Sequence, residues 1–403
     1  MKPLTVKFLA LYGLLLCQGC QTIHHAESQT IREISLPAKG VSKQHGLTRT
    51  ADNQLLASWV ESEGSKNTVR FAVYDGANWL PVRTVVSASS KLAASPVVFG
   101  MSDGSLSAFW MQGVKNDKDP YAADIYWVRS TDAGQTWTAP IKPYNTQARI
   151  YDAQMSFAPM PEDRLALVWT DSRFVNHDET ETFPIKTSRY QIMAAILDKD
   201  GRIGNEMTLD NDVCSCCRVY TDAEGDELMT VYRDHLKGEI RDISAVSWKA
   251  GRISQQFPVH TDHWVINGCP SNGPSVDLTK ANGVIAWFNG GDGKGKFWLG
   301  FTSKSAIKSS VVVDDHAIGF GKAKLLDGGS ALVVWRSNVG PEEELVLAQV
   351  TPTGEINNRK VIYRGSFPRW PSNYLSLETI GNQAYIAWTD LVKKQVRLVE
   401  VTF

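Results

Sequence analysis

The stretch Ser130-Thr-Asp-Ala-Gly-Gln-Thr-Trp137 decides the fold. The short polar side chains of Ser130 and Asp132 can turn back onto nearby backbone N–H groups, which stiffens a turn. Gly134 accepts a positive φ without a β-carbon clash, and Trp137 is placed to pin a returning strand against a sheet. Ile125-Tyr-Trp-Val128 runs into it as a strand, so the octapeptide is a rigid tip between two strands.

The same order recurs along the chain. Short apolar strands ending in an aromatic residue are Leu55-Leu-Ala-Ser-Trp59, Leu106-Ser-Ala-Phe-Trp110, Leu165-Ala-Leu-Val-Trp169, Leu228-Met-Thr-Val-Tyr232, Val284-Ile-Ala-Trp287, Ala331-Leu-Val-Val-Trp335 and Ala384-Tyr-Ile-Ala-Trp388. They stand roughly 50 to 60 residues apart, the period of four-stranded propeller blades. A turn signal such as Asp103-Gly104 or Asn282-Gly283 precedes each one. Reduced versions of the tip, among them Asp75-Gly76-Ala-Asn-Trp79 and Asp198-Lys-Asp-Gly201, fall at the same point of other repeats. The last repeat stops at Phe403 after a third strand, and Ile31-Arg-Glu-Ile-Ser-Leu36 belongs to no repeat. Pairing the two completes the last blade and leaves no free edge. The sequence therefore predicts an all-β propeller over residues 31–403, with seven four-stranded blades (six as the alternative) and an N-terminal strand closing the last blade.

The octapeptide resembles the Asp-box, or BNR repeat, of sialidase-like β-propellers. A second set of motifs, Asp212-Val-Cys-Ser-Cys-Cys217, Tyr232-Arg-Asp234, Ile240-Arg-Asp-Ile243 and Gly268-Cys-Pro-Ser-Asn-Gly-Pro274, is similar to that of a bacterial subgroup of these propellers. The resemblance implies an envelope protein that recognises a carboxylated glycan, with hydrolysis as a sialidase-type exo-glycosidase its sharper form. A non-catalytic propeller binding a glycan or protein, and a cysteine-centred metal or redox protein, are the alternatives.

The ends and the composition set the surroundings. Lys2 and Lys7 followed by the apolar run Phe8 to Leu16 suit an export signal, too short to span a bilayer. Cys17-Gln-Gly-Cys20 resembles a lipoprotein cleavage box, so residues 1–20 are expected to be a signal peptide, Cys20 to carry lipid, and residues 21–30 to form a tether. The expected location is the bacterial outer membrane or periplasm, with the envelope membrane as a partner through the anchor. Lys and Arg number 42 against 43 Asp and Glu, so no basic surface calls for nucleic acid. Thirteen tryptophans suit a sheet-rich core.

In a propeller the loops entering the innermost strands and leaving the second strands share one face, and the unusual residues gather there. Arg173, Arg233 and Arg336 follow second strands, as does Asp171; Asp234 adjoins Arg233, and Tyr151, Asp152 and Trp370 lie near the starts of innermost strands. Three guanidinium groups converging on one point would grip a carboxylate by charge-assisted hydrogen bonds, as sialidases do. By that resemblance Arg173, Arg233, Arg336 and Trp370 are the candidate substrate-binding residues. Tyr151 is the candidate nucleophile, with Asp152, Asp171 or Asp234 as acid or base. No cofactor is called for. The cysteines Cys214, Cys216, Cys217 and Cys269 would meet at the same mouth. Two disulfides are the expected outcome, one of them joining Cys269 to Cys214 or Cys216. A thiolate site for copper or zinc with His235 or His263, and a redox-active vicinal pair Cys216–Cys217, are the alternatives. His45, His235, His263 and His316 read as ordinary surface or capping residues. The polar insertion at 174–189 could cover the mouth.

Overall fold

The computed structural model describes residues 30–88, 96–114, 123–145, 150–173, 190–303, 305–338, 340–368 and 374–403, without the side chains of 150–153. The expected export segment with Cys20, the insertion at 174–189, Trp370 and the side chains of Tyr151 and Asp152 lie outside the described residues.

The repeating aromatic residues become the blade centres. Trp59, Trp169, Trp287, Trp335, Trp388 and Tyr232 are at most 1% exposed. Each stands on the second strand of its blade, where alternate side chains point at the sheets on either side. Burying so large an apolar group contributes roughly 1.5–3 kcal/mol, and the period of the sequence delivers one such group to each interface between blades.

Seven antiparallel blades result. Counting from the channel outward, blade 1 is Val41–Arg49, Leu55–Glu63, Lys66–Tyr74 and Arg83–Ala88; blade 2 is Val97–Gly100, Leu106–Gly113 and Ala123–Ser130. Blade 3 is Ile150–Met160, Arg164–Asp171, Tyr190–Leu197 and Met207–Val213; blade 4 is Tyr220–Glu224, Glu227–Arg233, Ile243–Lys249 and Arg252–His260. Blade 5 is Ser275–Leu278, Gly283–Asn289, Lys296–Thr302 and Ile307–Asp314; blade 6 is Ala317–Leu325, Ala331–Ser337, Glu343–Val350 and Ile356–Gly365. Blade 7 is Ser376–Ile380, Gln383–Asp390 and Gln395–Thr402, completed by Ile31–Ile34. Blade 2 is the irregular one. Among the described residues its fourth position is held by the bridge Trp127–Ile141, and the pair Ala123–Ile150 makes its sheet continuous with that of blade 3.

The tip Ser130–Trp137 has the expected chemistry. Ser130 Oγ accepts the Gly134 N–H at 2.8 Å, Asp132 accepts the Thr136 N–H at 2.9 Å, and Gly134 has φ +77°. Trp137 reaches across to blade 1, meeting Phe71 edge-on at 5.9 Å and donating its indole N–H to Thr84 O at 3.0 Å. The reduced tips keep the aspartate's role. Asp75 accepts the N–H groups of Ala77 and Asn78, and Asp198 those of Asp200 and Arg202.

Ring closure follows the predicted pairing, with Ile31 opposite Val401 and Ile34 opposite Leu398. Arg397 grips Glu33 through two hydrogen bonds of 2.8 and 2.7 Å, and Ile34 is buried against Trp59 and Tyr385. Large-to-small core changes cost about 2–5 kcal/mol. Ile34→Ala lies on an outermost strand that can relax, so a loss of about 2 kcal/mol is expected in equilibrium denaturation. An unchanged midpoint would mean that the closing strand is not part of the cooperative unit.

Candidate functional site at the channel mouth

The innermost strands of all seven blades surround a cavity of about 330 Å³. Side chains two apart on a strand share a face, so the lining falls into two layers. The lower layer holds Asp222, Asp277, Lys324 and Glu378, with Arg49 at its edge. Its charges are matched: Lys324 lies 2.9 Å from Asp277 and 3.6 Å from Glu378, and Arg49 lies 3.4 Å from Glu378. Burial would depress Lys324, but Glu378, Asp277 and Asp222 outweigh it and hold the ammonium above the ordinary lysine range. Burial and the neighbouring Asp277 lift Asp222 to about 6, against the pull of Lys324.

The upper layer is different. Arg218 lies 4.7 Å from the ring centre of Tyr220 and 4.6 Å from that of Tyr374, and Lys322 Nζ lies 4.6 Å from the Tyr220 ring. Among the described residues neither cation has a carboxylate in ion-pair range. Protein packs densely around Lys322 while part of it stays open to the channel, and burial, reinforced by Arg218, holds it below the ordinary lysine range. His45 lies 2.9 Å from Ser376 Oγ through Nδ1 and is buried. Burial first, then the charges of Lys322 and Arg218, lower its imidazole to about 3, so the ring is neutral at physiological pH. The Tyr374 hydroxyl is buried with no hydrogen-bond partner among the described residues.

Local irregularities aim these groups. The innermost strand of blade 1 slips register between Lys43 and Gly46, and Gln44 takes φ +50°. That of blade 6 slips between Gly319 and Lys322, and Phe320 takes φ +55°. Bulges redirect the side chains beside them, here His45 and Lys322. Strained backbone of this kind gathers where function requires it. The expectation of a surface role for His45 is thus corrected: the bulge turns it inward. Its sequence signal was weak, since one histidine beside one glycine is a common pattern.

The arginine expectations divide. Arg233, 1% exposed, donates to Asn272 O at 3.1 and 2.9 Å, to Arg241 O at 2.6 Å and to Phe288 O at 2.7 Å, and stacks on Trp264 at 4.7 Å. These contacts staple blade 4 to blade 5. Arg173 is bonded to Asp171 by Nε at 3.0 Å and by a terminal nitrogen at 2.8 Å, with Glu206 at 2.8 Å. Arg336 pairs with Glu343 at 2.9 Å and stacks on Phe320 and Phe367. Each of the three has partners on its own or the next blade, and no described contact joins them into one grip. Asp171 also accepts the Trp169 indole N–H at 2.8 Å. Asp234 accepts Ser244 Oγ–H at 2.7 Å and the His235 N–H at 2.8 Å, and burial lifts its carboxyl to about 6. Tyr232 is buried packing, its hydroxyl 2.6 Å from Asp210.

Cys216 is bonded to Cys269, one of the two pairings expected, and ties the loop entering blade 4 to the loop entering blade 5. Cys214 and Cys217 are free and buried, so the second disulfide is not formed and a vicinal Cys216–Cys217 pair is replaced. The three sulfur atoms of that loop lie close together, but Cys216 is committed to Cys269. His235 lies against Asp212 at 2.8 Å and Glu239 at 3.3 Å. The loop is seated by Gly273: a β-carbon there would fall on the Arg218 carbonyl oxygen and within 2.8 Å of its amide nitrogen.

The buried neutral His45 has a measurable consequence. Its folded pKa lies below its unfolded value, so the unfolded state binds more protons between about pH 3 and the ordinary histidine range, and stability falls as pH drops through that window. The melting temperature of His45→Asn is expected to fall less than that of the parent between pH 7 and 4. Parallel decline in both proteins would contradict the burial argument.

Neither a family model nor a curated protein matches the chain. Among solved structures, an ulvan lyase bound to -[GlcA(1-4)Rha3S]- aligns at TM-score 0.55 and 10% identity over 91% of this chain and 95% of that one. An oligogalacturonate lyase from Vibrio parahaemolyticus aligns at 0.52 and 8% over 93% and 97%. A GH93 alpha-L-arabinofuranosidase of Fusarium graminearum, in complex with arabinobiose, aligns at 0.47 and 13% over 76% and 91%. At such identities the likeness is one of fold.

Proposed function

We propose that the upper mouth binds a carboxylated sugar of a glycan, with Arg218 and Lys322 taking the carboxylate. The observation that carries this is the pair of cations facing a partly open channel with no acid partner among the described residues. Charge held in a partly desolvated place is costly unless matched, and a bound carboxylate would match it. Tyr220 and Tyr374 add flat faces against which a sugar ring can lie. The fold shared with an ulvan lyase and an oligogalacturonate lyase agrees with the reading without carrying it. The disulfide agrees with an exported protein, held at the envelope through the expected lipid anchor.

A second reading, that the sugar is also cleaved, is favoured by the neutral His45 beside the two cations. Neutralising a uronate carboxylate acidifies the C–H next to it. His45 would take that proton, a tyrosine hydroxyl would protonate the departing glycosidic oxygen, and a C=C bond would replace the broken C–H and C–O bonds. Sialidase-type hydrolysis is the rival chemistry.

Calorimetry with uronate-containing and neutral oligosaccharides, run beside ultraviolet absorbance and a fluorogenic sialoside, separates these. Binding of the acidic sugars alone supports the mouth, new absorbance identifies elimination, and sialoside turnover identifies hydrolysis. Equal affinity for neutral sugars would overturn the carboxylate reading.

A further inference from the structure

Four sulfur atoms form a row from the interior to the surface. Cys217 Sγ lies 2.7 Å from Cys214 Sγ, which lies 3.7 Å from Cys216 Sγ, itself bonded to Cys269. Cys214 and Cys217 are each 3% exposed, Cys216 is half-buried and Cys269 is exposed. The first two can share one proton. Burial pushes the Cys214 thiol up, but the hydrogen bond with Cys217 and the charges of Arg241 and Arg233 outweigh it and bring the group to about 7. Burial, together with Cys214 beside it, raises Cys217. One thiolate is therefore ready at neutral pH, at van der Waals distance from a disulfide sulfur.

We propose that this row is a thiol–disulfide relay, in which one disulfide moves between Cys216–Cys269 and Cys214–Cys217. Thiolate attack on a disulfide sulfur is the general route of such exchange. In the first step Cys214 attacks Cys216 Sγ; the Cys214–Cys216 bond forms, the Cys216–Cys269 bond breaks, and Cys269 leaves as an exposed thiolate that takes up a proton. Once Cys214 is in a disulfide its charge no longer raises Cys217. Cys217 then loses its proton, attacks Cys214, and releases Cys216 as a thiolate, which is protonated in turn. Two thiols are consumed and two produced, so no outside oxidant enters. The result unties the loop carrying Arg218 from the loop carrying Gly273. The relay does not depend on what the mouth binds.

The test uses the full chain brought to one disulfide per molecule with a phosphine, held without oxygen, trapped with a maleimide and mapped by mass spectrometry. The expected result is label on both cysteine pairs, in a ratio that drifts with holding time to a steady value. The drift should be about tenfold faster at pH 8 than at pH 6, because the attacking species is the thiolate. Cys214→Ser should abolish label at Cys269, whereas Cys217→Ser should keep it and leave a Cys214–Cys216 bond. A ratio fixed in time, or Cys269 labelling indifferent to Cys214→Ser, overturns the relay. The time course and pH dependence of the unaltered protein stand even where a variant fails to fold.

Discussion

The double variant Arg218→Ala/Lys322→Ala is expected to bind a carboxylated oligosaccharide at least about 100-fold more weakly than the parent. A hydrogen bond to a charged group contributes about 1.5–3 kcal/mol, and two such contacts correspond to roughly two to four powers of ten in affinity. Fold stability should move little, or rise, because both cations lack an acid partner among the described residues and their removal relieves repulsion. That combination separates a binding role from a structural one. Arg233→Ala makes the contrast: it strands three backbone carbonyl groups between blades 4 and 5, so unfolding is its expected effect. Calorimetric titration with a galacturonate or glucuronate oligomer, with a thermal melt of each variant, reads both quantities. Undiminished affinity in the double variant would remove the proposed site.

Gly273→Ala is expected to cost about 4 kcal/mol or more, among the larger effects of a single methyl group. The added carbon would overlap the Arg218 backbone at three atoms, and backbone cannot step aside as a flexible side chain can. The Gly273 loop is also tied to the Arg218 loop by Cys216–Cys269 and to the second strand of blade 4 by the hydrogen bonds of Arg233 to Asn272, so the strain has no easy outlet. Whatever folded protein survives should bind acidic sugar poorly, since Arg218 is displaced. Gly268→Ala, in the same loop, meets no atom within 4 Å and should stay within about 0.5 kcal/mol of the parent. Denaturant midpoints for the two variants test the argument, and similar values for both would refute it.

The architecture was legible because it is written many times. Each blade repeats a turn, an apolar strand and a terminal aromatic, so Trp59 and Trp335 could be recognised as equivalents from spacing alone and both prove fully buried. The closing pair was legible for a related reason: a strand without a blade and a blade short of a strand imply each other. The site was legible only as an address. Loop position in a repeat decides which mouth a residue occupies, so a candidate face could be assigned. The partners of its side chains were not legible, because Arg173, Arg233 and Arg336 look free in sequence and meet Asp171 and Glu206 within blade 3, Phe288 across blades 4 and 5, and Glu343 within blade 6 only once the chain is folded. Lys322 and His45 were hidden by the opposite cause. Their inward aim comes from bulges, and a bulge shifts the parity on which strand reading depends.

The seam and the staple divide the ring into unequal halves. Blade 7 is closed by the hydrogen bonds of one short strand, Ile31–Ile34, whereas blades 4 and 5 are joined by a covalent cross-link and a buried guanidinium. Local opening follows the weakest local bonding. Deuterium should therefore reach the amides around Val399 well before those around Val231, and loosening should travel from the closure toward the sulfur-rich side. The half that holds Arg218 is then the last to lose its shape, and the mouth outlives the circle that frames it.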